Sequence, residues 1–301
     1  MTAKKSWILL IAAIACLLCG LGLYWRIVSQ RTSRYAGTIS TMNSPQRIVS
    51  LAPDVTEILF ELGLGERVAA VSDDSDWPPQ AKEKKKIGAF FRPSTEAIIA
   101  CKPDLVITLW FSEQKTVAES LRRLGYNVLT VELQRMDQLG PIIEEIGRAT
   151  GTEMAARKLV EKINGRLEQL KSKYNSSVRP KVLWLVQDEP VRVAGRNTFI
   201  NEMLELAGGQ NAIGPTLMQY PQLGSEQLLE SGAEVIIHSA MSKGNLDKEQ
   251  QAAEMFWQKY PLLPAVKNNK IFVIDPDTTL RMGPRLGDGV ELIGRLLHPE
   301  R

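Results

Sequence analysis

The 301-residue chain writes one segment twice, and that repetition constrains its fold more than any other feature. Glu96-Ala97-Ile98-Ile99 leads to Pro103-Asp104-Leu105-Val106-Ile107, and Glu226-Gln227-Leu228-Leu229 leads to Ala233-Glu234-Val235-Ile236-Ile237 in the same register. In each copy a Glu opens a short helical run after a Ser or Thr, and the second apolar run reads as a buried strand. Two similar lobes are implied. Ligands of α/β folds sit at domain interfaces and strand ends, so two like lobes predict a cleft between them. That favours a binder over an enzyme.

The rest of the body extends this pattern. Strands are predicted over 47–51, 68–71, 103–109 and 127–131, with Asp54 capping a helix that runs to Leu62 before the glycines at 63 and 65. Strand and helix alternate at short spacing, which implies a mainly parallel sheet covered by helices. Between Thr152 and Tyr174 the apolar residues Leu159, Ile163, Leu167, Leu170 and Tyr174 recur three and four apart among charged ones, the signature of a long amphipathic helix. Asn175, the serines at 176 and 177 and Pro180 end it. A second sheet then begins over 182–186, followed by a helix over 199–206 closed by Gly208-Gly209, strands over 234–237 and 270–274, and a last helix over 289–297.

From residue 7 to 25 the chain (WILLIAAIACLLCGLGLYW) carries no charge, and as a helix it spans about 28 Å, close to a bilayer core. Residues 1–25 are read as a membrane anchor or signal segment, with Lys4 and Lys5 as its positive n-region. Ala13-Ile14-Ala15-Cys16 loosely resembles a lipoprotein cleavage box with Ala where Leu is usual, which makes Cys16 the candidate lipidation site. Apolar residues continue past Cys16 and favour an uncleaved anchor. Arg26, Arg31 and Arg34 make the second flank basic too, so the flanking charges leave the orientation open. Residues 26–45 lack a hydrophobic period and read as a flexible tether. Cys101 is the one cysteine of the body, so no disulfide can form within it. The net charge of +3 is small, and no basic run interleaved with aromatics points to nucleic acid.

Catalytic and metal signatures are sparse. His238 and His298, the only histidines, lie in different segments without ligand spacing. Gly63-Leu64-Gly65 follows a helix where a dinucleotide loop must follow a strand, and reads as a helix stop. Glu96 and Glu226 each stand in a first helical turn, where a carboxylate gains roughly 0.3–1 kcal/mol from the helix dipole. Their equivalence in two lobes adds a second reading: two exposed carboxylates placed alike can dock onto two cationic patches of a symmetric partner. Trp77, Phe90, Phe91, Trp110, Phe111 and Tyr220 gather near strand ends and in the loops after them, whereas Trp184, inside a strand, is read as core. Asp277, Arg281 and Arg285 surround a Gly-Pro and are either solvated surface or a polar wall.

The stretches RIVSLAPDVTEILFELG, VSDDSDWPPQAKEKKKIG, STEAIIACKPDLVIT, FINEMLELAGGQNAI, YPQLGSEQLLESGAEVII and the closing NNKIFVIDPD with RMGPRL cover nearly all of the body. Through them the chain from Arg47 onward resembles the helical-backbone periplasmic binding proteins, the solute receptors of ABC importers for cobalamin and ferric siderophores. The resemblance implies an α/β fold of two three-layer αβα lobes with mainly parallel sheets, over 46–151 and 177–301, joined by one backbone helix over 152–176. It implies permease docking through Glu96 and Glu226, and a body outside the cytoplasmic membrane, at the periplasmic or extracytoplasmic face. The SDWPP stretch and the PDLVI block are most similar to the cobalamin-binding receptors, in which the corrin lies between aromatic and polar groups of both lobes. Here that implies Phe90, Tyr220, Asp277 and Arg281, with Asp74, Trp77 and Trp110 beside them. Trp110 is one residue out of register, Asp74 stands where those receptors carry an aromatic, and Phe90 replaces a Trp. A ferric siderophore or haem, which Arg281 and Arg285 would also suit, is the alternative ligand.

The function expected from these readings is a membrane-tethered solute receptor that captures cobalamin or a related metal chelate and delivers it to an ABC permease, a transmembrane dimer with its ATPase. No cofactor, catalytic group, metal site or nucleic-acid partner is expected. A membrane-anchored enzyme or sensory domain is the competing class. The lack of a convergent His, Cys or carboxylate cluster argues against the enzyme, and the few residues ahead of Trp7 argue against the sensor.

Overall fold

The computed structural model describes residues 44–240 and 245–300. The anchor segment with Cys16 and nearly all of the 26–45 tether lie outside them. Twelve strands form among the described residues: β1 (Ile48–Ser50), β2 (Val68–Val71), β3 (Lys85–Lys86), β4 (Gly88–Ala89), β5 (Arg92–Pro93), β6 (Leu105–Leu109), β7 (Val128–Val131), β8 (Lys181–Gln187), β9 (Arg192–Val193), β10 (Gln210–Asn211), β11 (Val235–Ser239) and β12 (Ile271–Ile274). The first lobe holds a parallel sheet in the order β3-β2-β1-β6-β7 and a small β4-β5 hairpin. The second lobe holds a parallel sheet in the order β10-β8-β11-β12, with β9 antiparallel on β8. Between them in the chain runs the 21-residue helix Glu153–Lys173, the backbone helix.

Side chains along a strand alternate between its two faces, and strands of a parallel sheet are commonly buried on both. Leu105, Ile107 and Leu109 of β6 face a central core, while Val106 faces an outer one; Val182 and Trp184 of β8 face the same central core, while Leu183 and Leu185 face the other way. Ala156, Leu159, Ile163 and Leu170 of the backbone helix, with Tyr174 at its C-cap, join that central core. It therefore runs through both lobes, and each lobe adds an outer core of its own. The last helix, Leu286–Leu297, closes it with Leu286, Val290, Ile293 and Leu297. A Cβ on Gly294 of that helix would come within 2.2 Å of the Tyr174 ring, so this approach requires glycine.

The repeated segment occupies equivalent places. Glu96 lies in the first turn of the helix Thr95–Ala100 ahead of β6, and Glu226 in the first turn of Ser225–Glu230 ahead of β11. Behind each helix the chain turns with positive φ, at Lys102 (47°) in one copy and Gly232 (57°) in the other. The acidic residue that follows grips the entrance of the neighbouring strand. Asp104 accepts the backbone N–H groups of Gln46 and Arg47 at 2.7 and 2.9 Å, and Glu234 accepts that of Lys181 at 2.8 Å.

Three expectations need correction. Asp54 does not cap the first helix. That helix spans Pro53–Glu61 with Ala52 as its N-cap, because Pro53 already supplies the first helical residue, and Asp54 falls inside the first turn. The last helix starts at Leu286, three residues earlier than its apolar pattern suggests. The strands β3, β4, β5, β9 and β10 have no counterpart among the predicted elements; each is two residues long and leaves no hydrophobic run to read.

Candidate functional site

Two elements at the ends of the first sheet bring its aromatic residues together. The β4-β5 hairpin carries Phe90 and Phe91 in its turn, and Phe111 follows β6 by two residues. Phe90 and Phe91 meet edge to face with centroids 4.9 Å apart, Phe90 stacks on Phe111 at 5.6 Å, and Phe91 meets Phe111 at 5.4 Å. Phe91 is 57% exposed, so the trio presents apolar ring surface to solvent. The hairpin depends on Gly88 at φ 99°, where a Cβ would lie 2.8 Å from the Arg92 carbonyl oxygen.

The Phe90 peptide is held from both sides. Its N–H donates to Asp74 Oδ2 at 2.7 Å, and its carbonyl accepts from Gln114 Nε2 at 3.0 Å. Gln114 is fully buried; its second N–H reaches the Leu51 carbonyl at 3.0 Å, and its Oε1 accepts from the Leu109 N–H at 3.0 Å and from the Thr108 hydroxyl. Trp110 stands outside the trio, with Lys115 Nζ 5.1 Å from its ring centre. In the second lobe Tyr220 is partly buried against the same central core as Phe90. Burial raises the pKa of its phenol, and its carbonyl accepts from Arg192 at 3.4 Å.

A partly buried ionic cluster around the buried Glu57 ties the lobes together beside this wall. Arg281 of the second lobe reaches Asp76 at 2.8 Å, Glu57 at 3.5 Å and the Asp74 carbonyl at 3.0 Å in the first, and its own Asp277 at 2.8 Å. Arg285 donates to Glu57 through Nε at 3.0 Å and Nη2 at 2.6 Å. Burial disfavours the Arg281 charge, but Asp76, Asp277 and Glu57 hold its pKa above the ordinary value. Asp54 stands one turn before Glu57. The residue is only half-buried, yet its Oδ1 touches no solvent and has no hydrogen-bond partner. Burial, and then the charge of Glu57, push its pKa up to about 7 against the opposing pull of Arg281 and of the Met282 N–H.

Of the seven residues suggested for the ligand, four are linked: the Asp74 carbonyl accepts from Arg281, which joins two bonded pairs. Asp74 and Phe90 are bonded to each other, and Asp277 and Arg281 are paired within the cluster. Trp77 stacks under the Arg285 guanidinium at 4.6 Å and, with Glu57 and Arg285 of the cluster, lines a 490 Å³ cavity. Trp110 follows β6 on the first lobe and Tyr220 packs on the central core from the second. A larger cavity of 740 Å³ runs along the backbone helix between Met136, Leu167, Tyr174 and Glu202, and none of the suggested residues lines it. The aromatic wall is the better candidate, because it lies at strand ends and offers apolar ring surface.

Glu96 and Glu226 are both exposed. Ser94 caps the first of their helices through the Ala97 N–H at 3.2 Å and also donates to Glu96 at 3.1 Å. His238 is buried: Trp257 Nε1 donates to its Nε2 at 2.5 Å, and its Nδ1 lies 3.7 Å from Asp188. Desolvation lowers its pKa to about 4. Among the described residues no group of three or more His, Cys, Asp or Glu is placed to hold a metal ion. Sequence reasoning passed over Glu57, Asp76 and Gln114. Glu57 alone left a signal, a carboxylate set within the apolar run from Val55 to Leu59.

A family model described as "Periplasmic binding protein" matches residues 48–278. The vitamin B12-binding protein of Vibrio cholerae is 29% identical over 250 residues, covering 82% of this chain and 87% of that protein. An uncharacterized ABC transporter substrate-binding lipoprotein of Bacillus subtilis, YvrC, is 30% identical over 270 residues, covering 87% of this chain and 83% of that one. Among solved structures, the periplasmic heme-binding protein RhuT from Roseiflexus sp. RS-1 in apo form superposes with a TM-score of 0.74 at 27% identity, covering 84% of this chain and 98% of that one.

Proposed function

The chain belongs to the periplasmic binding protein family, whose members bind substrates and do not transform them, and on that premise we propose that it captures cobalamin or a related metal chelate between its lobes and delivers it to an ABC permease. The observation that supports this best is the wall formed by Phe90, Phe91 and Phe111, partly exposed at the ends of the first sheet. Stacked and edge-on rings offer a large apolar surface to a flat macrocycle. The vitamin B12-binding relative supports cobalamin as the first candidate.

Haem is the second reading, supported by the similar heme-binding structure. A strongly anionic siderophore has less support, because Arg281 and Arg285 already pair with carboxylates of the protein, Glu57 among them buried. In this reading the body works on the periplasmic or extracytoplasmic side, tethered through residues 7–25, and Glu96 with Glu226 meets the permease. Among the described residues no helix is long and apolar enough to cross a membrane.

Calorimetric titration with cyanocobalamin, haemin and ferrichrome tests the reading. One-to-one binding of cyanocobalamin supports it and one-to-one binding of haemin alone selects the second reading. Binding of none removes both.

A further inference from the structure

We propose that Asp74 is a positioning residue: it sets the plane of the Phe90 peptide, and thereby the aromatic wall, from the junction between the lobes. The inference rests on the reading of that wall as the ligand surface, but its geometry can be tested without a ligand.

Asp74 is engaged at both ends. Its Oδ2 accepts the Phe90 N–H at 2.7 Å, a short bond, and its backbone carbonyl accepts from Arg281 Nη2 of the other lobe at 3.0 Å. The neighbouring Asp73 accepts the Gly88 N–H at 3.2 Å, so two successive carboxylates hold the first strand and the turn of the same hairpin. On the far side of the Phe90 peptide, Gln114 is buried and its amide is bonded to Leu51, Phe90, Thr108 and Leu109. That side is fixed by the first lobe alone. The Asp74 side is coupled to the second lobe, because Arg281 is itself held by Asp277 there and by Asp76 and Glu57 here. The turn contains only Phe90 and Phe91, so rotating their peptides moves both rings against Phe111. A change at the lobe junction therefore reaches the wall through one residue.

An exposed carboxylate at the edge of a ligand surface can also act directly, by presenting its charge to the ligand. The two roles differ in what asparagine does: an amide oxygen still accepts the Phe90 N–H but carries no charge, whereas alanine does neither.

The experiment compares Asp74→Ala, Asp74→Asn and Arg281→Met with the unaltered protein, using the phenylalanine fine structure of the near-ultraviolet circular dichroism spectrum and affinities for cyanocobalamin and haemin. Asp74 is exposed, so its variants are expected to fold, and a thermal melt confirms it. The proposal expects Asp74→Ala to change the spectrum and weaken the bound probe about tenfold, the equivalent of one hydrogen bond. It expects Asp74→Asn to restore the spectrum and most of the affinity, and Arg281→Met to change the spectrum in the same direction as Asp74→Ala. A spectrum untouched by Asp74→Ala would overturn the proposal, as would Asp74→Asn losing as much affinity as Asp74→Ala. If the unaltered protein binds neither probe, the ligand reading falls and the spectra alone decide the positioning role.

Discussion

Arg285 closes on Glu57 across the lobe junction through two hydrogen bonds, Nε to Oε2 at 3.0 Å and Nη2 to Oε1 at 2.6 Å, and the carboxylate it meets is almost without solvent contact. A buried charge is tolerated only with its partner, so the pair makes docking of the lobes conditional on both residues.

Arg285→Met should therefore destabilise the protein by about 3 kcal/mol, because it leaves Glu57 facing Arg281 alone. The double variant Glu57→Gln, Arg285→Met should lose less than Arg285→Met, since no charge is then stranded. Urea unfolding of the set measures the coupling. A double variant as unstable as the sum of the two singles would show that the pair contributes nothing as a pair.

Asp54 should make stability fall as pH rises. Its pKa of about 7 in the folded protein lies above the ordinary 3.8, so the native state holds a proton that the unfolded chain has released, and the slope is negative between these values. Relative to Asp54→Asn, the unaltered protein should lose on the order of 2–4 kcal/mol between pH 4 and pH 7. Urea midpoints at the two ends of that window test it, and parallel curves would count against a protonated Asp54.

His238 should act in the opposite direction. With a folded pKa near 4 against an ordinary 6.5, it is neutral where the unfolded chain is already protonated, so its contribution is present above pH 6.5 and lost as pH falls toward 4. Nitrogen chemical shifts should show a neutral ring at pH 6 with the proton on Nδ1, because Nε2 accepts from Trp257. A ring that titrates near pH 6.5 would contradict this.

Replacing both Glu96 and Glu226 with Ala should leave ligand affinity nearly unchanged and sharply reduce uptake by a reconstituted permease. Each single change should cost less, and reversal to Lys should be worse than Ala, since facing like charges repel by up to several kcal/mol. Unimpaired uptake by the double variant would return both residues to the role of helix-terminus carboxylates.

The parallel sheets were legible in the sequence because β1, β2, β6, β11 and β12 are short apolar runs, and the repeat made Glu96 and Glu226 visible as a pair. The site was legible only in part. Phe90, Phe91 and Phe111 could be named as loop aromatics, but their meeting depends on a hairpin whose strands are two residues each, too short to leave a pattern. The lobe junction was hidden for a different reason. Glu57 and Arg285 are 228 residues apart, and no local rule links a helical carboxylate to an arginine at that distance. Asp54 shows the limit of capping rules: an Asp beside Pro at a helix start looks like a cap, but here it meets Glu57, Arg281 and the Met282 N–H, contacts no local pattern reveals.

The long helix Glu153–Lys173, the last element before the second sheet, has a practical consequence. Between Tyr174 and Lys181 the path is an exposed loop, with Val178 at 76% exposure. Severing the chain there would yield two polypeptides, each with one complete sheet and its outer core. Tyr174 and Leu170 on one piece match Val290 and Ile293 on the other, within the central core that both lobes share. Co-expressed, the halves have a ready-made reason to recombine, and a ligand that touches both would draw them together, which would make the receptor its own two-part reporter of solute.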